Sequence, residues 1–179
     1  AMMRGTLGLY FIERFIKEEG SPYSASVWAE LAAKERPAPV IIDFDRFHVS
    51  EGETVYHALE RFLRMVGKAI PQTPAEIVRC LYESLAQSIL VSIEKLACFL
   101  GREIKSVHLV GGGSKCRLLR ELLASRGSIP VITSVAEGSA AGNIIVQICG
   151  KEGIDPLKEG RIMASSSWEA TVTEPNRMI

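Results

Sequence analysis

Apolar residues recur every three to four positions through the first hundred residues, which is the spacing of one face of an α-helix. The longest such stripe follows Thr73, where Pro74 suits the first helical position and Glu76 completes a capping box. Gly101 marks the end of this helix, and its apolar stripe consists of Ile77, Leu81, Leu85, Ile89, Ile93, Leu96 and Leu100. The helix is about 40 Å long, so we expect it to pack against a large part of a protein.

Shorter helices are predicted upstream of the long one. The apolar spacing predicts a helix over about residues 7–16 and another over about residues 24–34. Residues 40–42 are β-branched and predict a short strand that leads into an irregular stretch. Ser50 and Glu53 form a predicted capping box, which opens a helix with the apolar residues Val55, Leu59, Phe62, Leu63 and Val66.

The pattern changes after Gly101. A β-branched run over residues 107–110 predicts a strand, and Gly111, Gly112, Gly113 and Ser114 follow it directly. A leucine-rich helix, a second strand over residues 130–132 and a last helix opened by a capping box of Ser134 and Glu137 come next. This order of strand, glycine loop, helix, strand and helix is that of a parallel α/β unit. The tail from Asp155 onward is predicted to be loop-like.

Composition and charge exclude several classes of protein. Of 179 residues, 47% are hydrophobic, which excludes a disordered chain. The 21 basic and 21 acidic residues balance, so a nucleic-acid partner is not expected. We expect no membrane association, because no apolar run approaches a span and no secretory leader is present. The cysteines (Cys80, Cys98, Cys116 and Cys149) are scattered, which suits reduced thiols in a soluble cytoplasmic protein and not a zinc site.

The glycine loop after the first predicted strand is the most informative feature. Without side chains, its backbone can approach a flat or anionic ligand closely. A helix beginning near Ser114 would add free N–H groups and a positive dipole end. The loop matches neither the P-loop nor the dinucleotide fingerprint, and no acidic residue ends the second strand. A tight turn that only needs a positive φ is the alternative interpretation.

The carboxylates form no constellation for proton transfer or metal binding. Glu137 is explained as a helix cap, and Arg79 and Glu83 as an ion pair one turn apart on the long helix. The aspartates are few and fall in loop-like segments: Asp43, Asp45 and Asp155. A phosphoryl transferase needs a positioned base and a metal site, and this chain shows neither.

Three segments, in this order and at this spacing, resemble carbohydrate kinases of the FGGY family, rhamnulokinases in particular. Residues 74–86 resemble the long-helix motif of that family, and residues 107–119 resemble its adenosine-binding turn. Residues 135–147 resemble its segment P-V-E-A-T-A-x-G-N-x-x-V-Q. The resemblance covers roughly residues 40 to 150, and Glu174 with Pro175 in the tail also fits.

The resemblance implies an α/β fold: part of a ribonuclease H-like ATPase lobe, as in actin and the sugar kinases, helix-rich with a short parallel β-α-β-α unit. Residues 1–160 would be a fragment of the C-terminal lobe and residues 161–179 a tail. The implied reaction is transfer of phosphate from ATP, with Mg²⁺, to a sugar such as L-rhamnulose. The implied nucleotide-binding residues are Gly111, Gly112, Gly113, Ser114 and Cys116.

Two departures from the family qualify this expectation. The family often has Asn where Cys116 stands, and a thiol is a poor substitute for an amide that contacts adenine. The sugar-activating aspartate of the family lies upstream of the segments seen here, so this chain is expected to hold no catalytic residue and to be inactive alone. A non-catalytic nucleotide-binding or assembly module is therefore an alternative. A methyltransferase that binds S-adenosylmethionine at the loop is a further one.

The expected partners follow from the same reasoning. ATP or ADP would bind this chain, whereas the sugar would be held mainly by the missing N-terminal part. Two strands rarely form a sufficient sheet, so we expect association with that missing lobe or self-association.

Overall fold

A computed structural model describes residues 6–134 and 138–176 of the chain. The chain forms two compact units, Ala1–Ile104 and Lys105–Ile179. The first is helical, and the second contains the sheet.

The described part of the first unit contains the helices α1 (Thr6–Glu18), α2 (Ala25–Lys34), α3 (Val55–Met65) and α4 (Pro74–Leu100). The predicted ends of α4 are confirmed. The Thr73 hydroxyl accepts a hydrogen bond from the Glu76 amide at 3.2 Å, and Gly101 ends the helix at φ 61°. Only the first half of α4 is buried, whereas Phe99 near its end is 86% exposed. The expected packing against a large part of a protein therefore holds within this chain for the first half of the helix, and for its last two turns it stays a prediction.

The core of the first unit forms where α1 and α2 pack on α4 and where α3 packs on α1. Its largest fully buried side chains include Phe15, Leu59, Leu63, Leu81 and Leu85. Aromatic rings extend this core, with the Phe47 centroid 5.0 Å from that of Phe11 and 5.9 Å from that of Phe62. Both contacts are edge-on, which suits the ring quadrupoles.

The predicted strand over residues 40–42 is wrong, because polar side chains of α4 hold this segment instead of a neighbouring strand. The Ala38 amide donates to Glu83 Oε1 at 3.2 Å, and the Ile42 amide donates to Ser84 Oγ at 2.8 Å. Between them, the carbonyl of Val40 accepts from Cys80 Sγ at 3.5 Å. This irregular segment therefore lies along a helix face, and its hydrogen bonds end on side chains of that face.

The N-terminus of α3 also differs from the prediction. Thr54, and not Ser50, is the N-cap: its hydroxyl accepts a hydrogen bond from the His57 amide at 3.2 Å. Glu53 does accept from the Ser50 amide, at 2.9 Å, so the two predicted partners meet in the turn before the helix.

The second unit contains β1 (Val107–Leu109), α5 (Arg117–Gly127), β2 (Val131–Thr133), α6 (Gly138–Glu152), α7 (Glu159–Ser167) and β3 (Thr171–Thr173). The strand order is β1-β2-β3. β1 and β2 pair in parallel, with Val107 opposite Val131, and this confirms the predicted β-α-β-α unit. The capping box of Ser134 and Glu137 lies outside the described residues, because residues 135–137 are not described.

The loop-like tail predicted from Asp155 is wrong over two stretches. α7 packs on α6, where Gly160 is buried so tightly that an added Cβ would lie 2.8 Å from Ile145 Cγ2. β3 pairs antiparallel with β2, with Val131 opposite Thr173, and gives β2 its second neighbour. The boundary between lobe and tail at residue 160 stays a prediction.

Candidate functional site

The candidate site is the glycine turn, which we define as residues 111–116, directly after β1. Gly111 adopts φ 80°, a conformation that favours glycine. The Ser114 amide donates to the Gly111 carbonyl at 3.1 Å, and the Cys116 amide donates to the Gly113 carbonyl at 3.1 Å. Residues Gly112–Lys115 form a short 3-10 helix, and α5 begins only at Arg117. The helix start expected near Ser114 is thus a separate tight turn.

The outer surface of this turn is open among the described residues. A Cβ added to Gly111 or Gly112 would have no described heavy atom within 4 Å. The amides of Gly112 and Gly113 take no part in the two hydrogen bonds that close the turn. The turn therefore offers backbone groups to a ligand at close range, with no side chain between them.

Ser114 and Cys116 have different surroundings in the turn. Ser114 is 4% exposed, and its hydroxyl donates to the Gly111 carbonyl at 2.7 Å, so this side chain shapes the turn. Cys116 is half-buried at the N-cap of α5, and its thiol caps no amide there. Of the two predicted side chains, Cys116 is thus the one with exposed surface.

The start of α6 lies beside the same edge of the sheet. A Cβ added to Gly138, the first residue of α6, would lie 3.8 Å from Val110 Cβ, at the end of β1. β1 and β2 run parallel, so the segments after both strands leave the sheet at one edge. Ligands of open α/β folds bind at this carboxyl edge.

The other residues considered from the sequence have structural roles. Arg79 and Glu83 form a buried ion pair with Nε and Oε1 2.5 Å apart, and Glu83 also accepts from the Ala38 amide. Between them on the helix, burial raises the pKa of Cys80 to about 12. Asp43 accepts from the Asp45 amide at 3.0 Å.

Asp155 has a similar role to Asp43, because it accepts from the Leu157 amide at 2.8 Å. Within residues 6–134 and 138–176, no three His, Cys, Asp or Glu side chains gather as metal ligands would. These described residues therefore offer a Mg²⁺ ion no cluster of three protein ligands. In the same residues, no helix combines the length and apolarity needed to cross a bilayer.

One residue that the sequence patterns did not single out contacts the glycine turn. Arg120, one turn into α5, donates from Nη1 to the Ser114 carbonyl at 2.7 Å. An arginine four residues after a helix N-cap is usually a surface residue, so the sequence contained no signal for this contact.

Comparisons with known proteins identify the family. Residues 4–150 match the FGGY family of carbohydrate kinases, C-terminal domain. The chain is similar to the rhamnulokinase of Lactiplantibacillus plantarum, at 28% identity over 93% of this chain and 34% of the relative. It is also similar to the rhamnulokinase of Enterococcus faecalis, at 28% identity over 97% of this chain and 36% of the relative. The chain thus spans about a third of the length of these relatives.

A solved structure shows the fold. Xylulose kinase from Rhodospirillum rubrum superposes with a TM-score of 0.64 at 17% identity, over 95% of this chain and 33% of that one. The expected fold, that of the sugar kinases, is confirmed. Together with the family match over residues 4–150, this establishes that the chain belongs to the FGGY family of carbohydrate kinases and carries its C-terminal domain.

Proposed function

We propose that this chain is the nucleotide-binding part of an ATP-dependent carbohydrate kinase, and that the glycine turn is its nucleotide contact. The observation that carries the proposal is the open backbone surface at Gly111 and Gly112, at the carboxyl edge of two parallel strands. Exposed backbone amides at this turn suit the adenosine and first phosphate of a nucleotide, because backbone amides bind phosphate oxygens well.

Each residue of the glycine turn has its own proposed role in nucleotide binding. The backbone of Gly111, Gly112 and Gly113 approaches the adenosine and the α-phosphate. Ser114 fixes the conformation of the turn through its hydrogen bonds to the Gly111 carbonyl. Cys116 lies where a polar side chain would select adenine, so we expect weak discrimination between adenine and other purines. When bound, ATP supplies the phosphoryl group that is transferred.

The proposed acceptor is a ketose such as L-rhamnulose. Two curated relatives are rhamnulokinases, and this supports the sugar class. The proposed reaction makes the sugar 1-phosphate. The described residues of this chain offer Mg²⁺ no carboxylate cluster, so the phosphates of ATP would supply most of its ligands on this side of the site.

The test is nucleotide titration by calorimetry with two matched variants. Gly112→Val places a branched side chain in the open space, where its Cβ meets no described heavy atom within 4 Å, so we expect it to block a ligand and to spare the fold. Gly150→Val is the control, since a Cβ at this exposed position of α6 also meets nothing described within 4 Å.

We expect the wild type and Gly150→Val to bind ADP equally and Gly112→Val to bind it at least about tenfold more weakly, with similar melting temperatures for the wild type and Gly112→Val. S-adenosylmethionine, included as a second ligand, is expected not to bind. Equal ADP affinity in all three proteins would reject the glycine turn as the site, and preference for S-adenosylmethionine would reject the kinase reading.

A further inference from the structure

We infer that Arg120 is a positioning residue that holds the glycine turn in the shape that binds the nucleotide; the nucleotide role rests on the proposed function. Arg120 Nη1 donates to the Ser114 carbonyl at 2.7 Å, a distance typical of a charge-assisted hydrogen bond. The bond joins the first turn of α5 to the end of the glycine turn, six residues earlier in the chain.

Ser114 is thereby fixed from both sides. Its amide and its hydroxyl both donate to the Gly111 carbonyl, at 3.1 and 2.7 Å, and its own carbonyl accepts from Arg120. Gly112 and Gly113 lie between these two anchored points. Because glycine has the largest conformational freedom of any residue, these two amides need such anchors to stay aligned.

The surroundings of the guanidinium indicate that this contact is specific. Arg120 is half-buried, and its Nε is fully enclosed and has no hydrogen-bond partner among residues 6–134 and 138–176. Enclosing an N–H without a partner is unfavourable, so a freely rotating arginine would leave this position for solvent. The bond to Ser114 keeps it there.

A neighbouring arginine provides the comparison. Arg117 is on the same helix, and its side chain is 64% exposed and pairs with Glu121 at 3.2 Å. It carries the same charge within the first turn of α5, and its partner Glu121 is half-buried on the same helix. Loss of Arg117 therefore removes the charge and a surface ion pair within α5, whereas loss of Arg120 removes the charge and the anchor of the glycine turn.

The experiment compares Arg120→Met, Arg120→Lys and Arg117→Met with the wild type in two measurements. Methionine keeps an apolar stem of similar shape and cannot donate a hydrogen bond. Hydrogen exchange without nucleotide reports the anchor, through the amides of Ser114 and Cys116. ADP titration reports the consequence for binding. The first measurement does not depend on the proposed function, so the two failures are distinguishable.

We expect Arg120→Met to speed exchange of these two amides and to weaken ADP binding, each roughly tenfold, while Arg117→Met changes neither. Arg120→Lys keeps the charge without the planar fork and should recover part of both effects. Wild-type exchange and affinity in Arg120→Met would overturn the inference. Faster exchange in a protein whose wild type binds no ADP would overturn the nucleotide role and, with it, the proposed function.

If Arg120→Met does not fold, Arg120→Lys decides alone. Its ADP affinity is then expected to fall about threefold relative to Arg117→Met, and equal affinities would overturn the inference.

Discussion

Glu53 links the turn before α3 to the helix itself. Arg61 donates to both carboxylate oxygens of Glu53, at 3.0 and 3.1 Å, and the Ser50 amide donates to Oε2 at 2.9 Å. The hydrogen bond from Arg61 is the main cause that lowers the pKa of Glu53 from 4.5 to about 2. Arg14 and Glu18 of α1 reach the same turn, through the Glu53 carbonyl and the Val55 amide.

The lowered pKa predicts how acid acts on the first unit. Because the carboxylate is favoured in the folded state, Glu53 stabilises the fold fully above pH 4.5 and loses this contribution as the pH falls towards 2. Glu53→Gln should therefore be less stable than the wild type at pH 7, and the difference should shrink below pH 4.5. Urea unfolding at pH 7, 5 and 3 measures this.

Glu60→Gln is the control for this series. Glu60 pairs with Arg64 one turn along α3 at 2.7 Å, where the arginine is 71% exposed. Surface pairs of this kind contribute little, so its stability difference should be small at each pH. A Glu53→Gln difference that stays constant from pH 7 to 3 would contradict the assignment.

Helix α4 has a face of polar side chains that binds the backbone of residues 38–42. The face consists of Cys80, Glu83 and Ser84, whose side chains hydrogen-bond to the irregular segment 38–42. The Ser84 hydroxyl donates to the Cys80 carbonyl at 2.6 Å while accepting from the Ile42 amide at 2.8 Å. This buried hydroxyl thus satisfies a backbone amide that has no strand partner.

Ser84→Ala should destabilise the protein by about 1 to 3 kcal/mol, because the buried Ile42 amide loses its acceptor. Ser92→Ala is the matched control on the same helix, because the Ser92 hydroxyl donates to the Ser88 carbonyl at 2.9 Å, within the helix itself. This substitution should lower the free energy of unfolding by no more than about 0.5 kcal/mol. Chemical denaturation at pH 7 measures both. Equal midpoints for the two variants would contradict this role of α4.

Local patterns predicted the elements whose signals lie within their own sequence. The caps of α4 are an example, since Thr73, Glu76 and Gly101 act within a few residues of each end. The parallel unit was likewise readable, because strand, glycine loop and helix follow one another directly.

Elements that depend on distant partners were not readable. The β-branched residues 40–42 predict a strand from their own sequence. The structure differs because side chains of α4, some 40 residues later, accept the hydrogen bonds of this segment. β3 exists because β2 has a free edge, and its three residues carry little signal alone. Arg120 is a similar case, because its contact with the Ser114 carbonyl exists only once the glycine turn has folded back towards α5.

At the scale of the whole molecule, the chain spans about a third of the length of the rhamnulokinases that it matches. Exposed apolar residues at the end of α4 (Leu96, Phe99 and Leu100) and the short sheet agree with the expectation that it associates with further protein, which stays a prediction. The carboxylates of Asp43 and Asp155 accept hydrogen bonds within their own turns.

We therefore expect the isolated chain not to transfer phosphate to a sugar, because that reaction needs a carboxylate free to take the proton of the sugar hydroxyl, and Asp43 and Asp155 accept hydrogen bonds within their own turns. A coupled assay of ADP release with ATP, magnesium and a panel of ketoses measures this. Sugar-dependent turnover above the ATPase background would contradict the prediction and would require a catalytic carboxylate in this chain. A full-length kinase such as the relatives is the positive control for the assay.

The central claim is that the glycine turn binds a nucleotide, and amide chemical shifts test it most directly. ADP would be titrated into uniformly ¹⁵N-labelled protein, with inorganic phosphate and L-rhamnulose as separate controls. We expect the largest shifts to fall on Gly111, Gly112, Gly113 and Cys116, and to be absent with the sugar. Shifts centred elsewhere, or none with ADP at millimolar concentration, would contradict it.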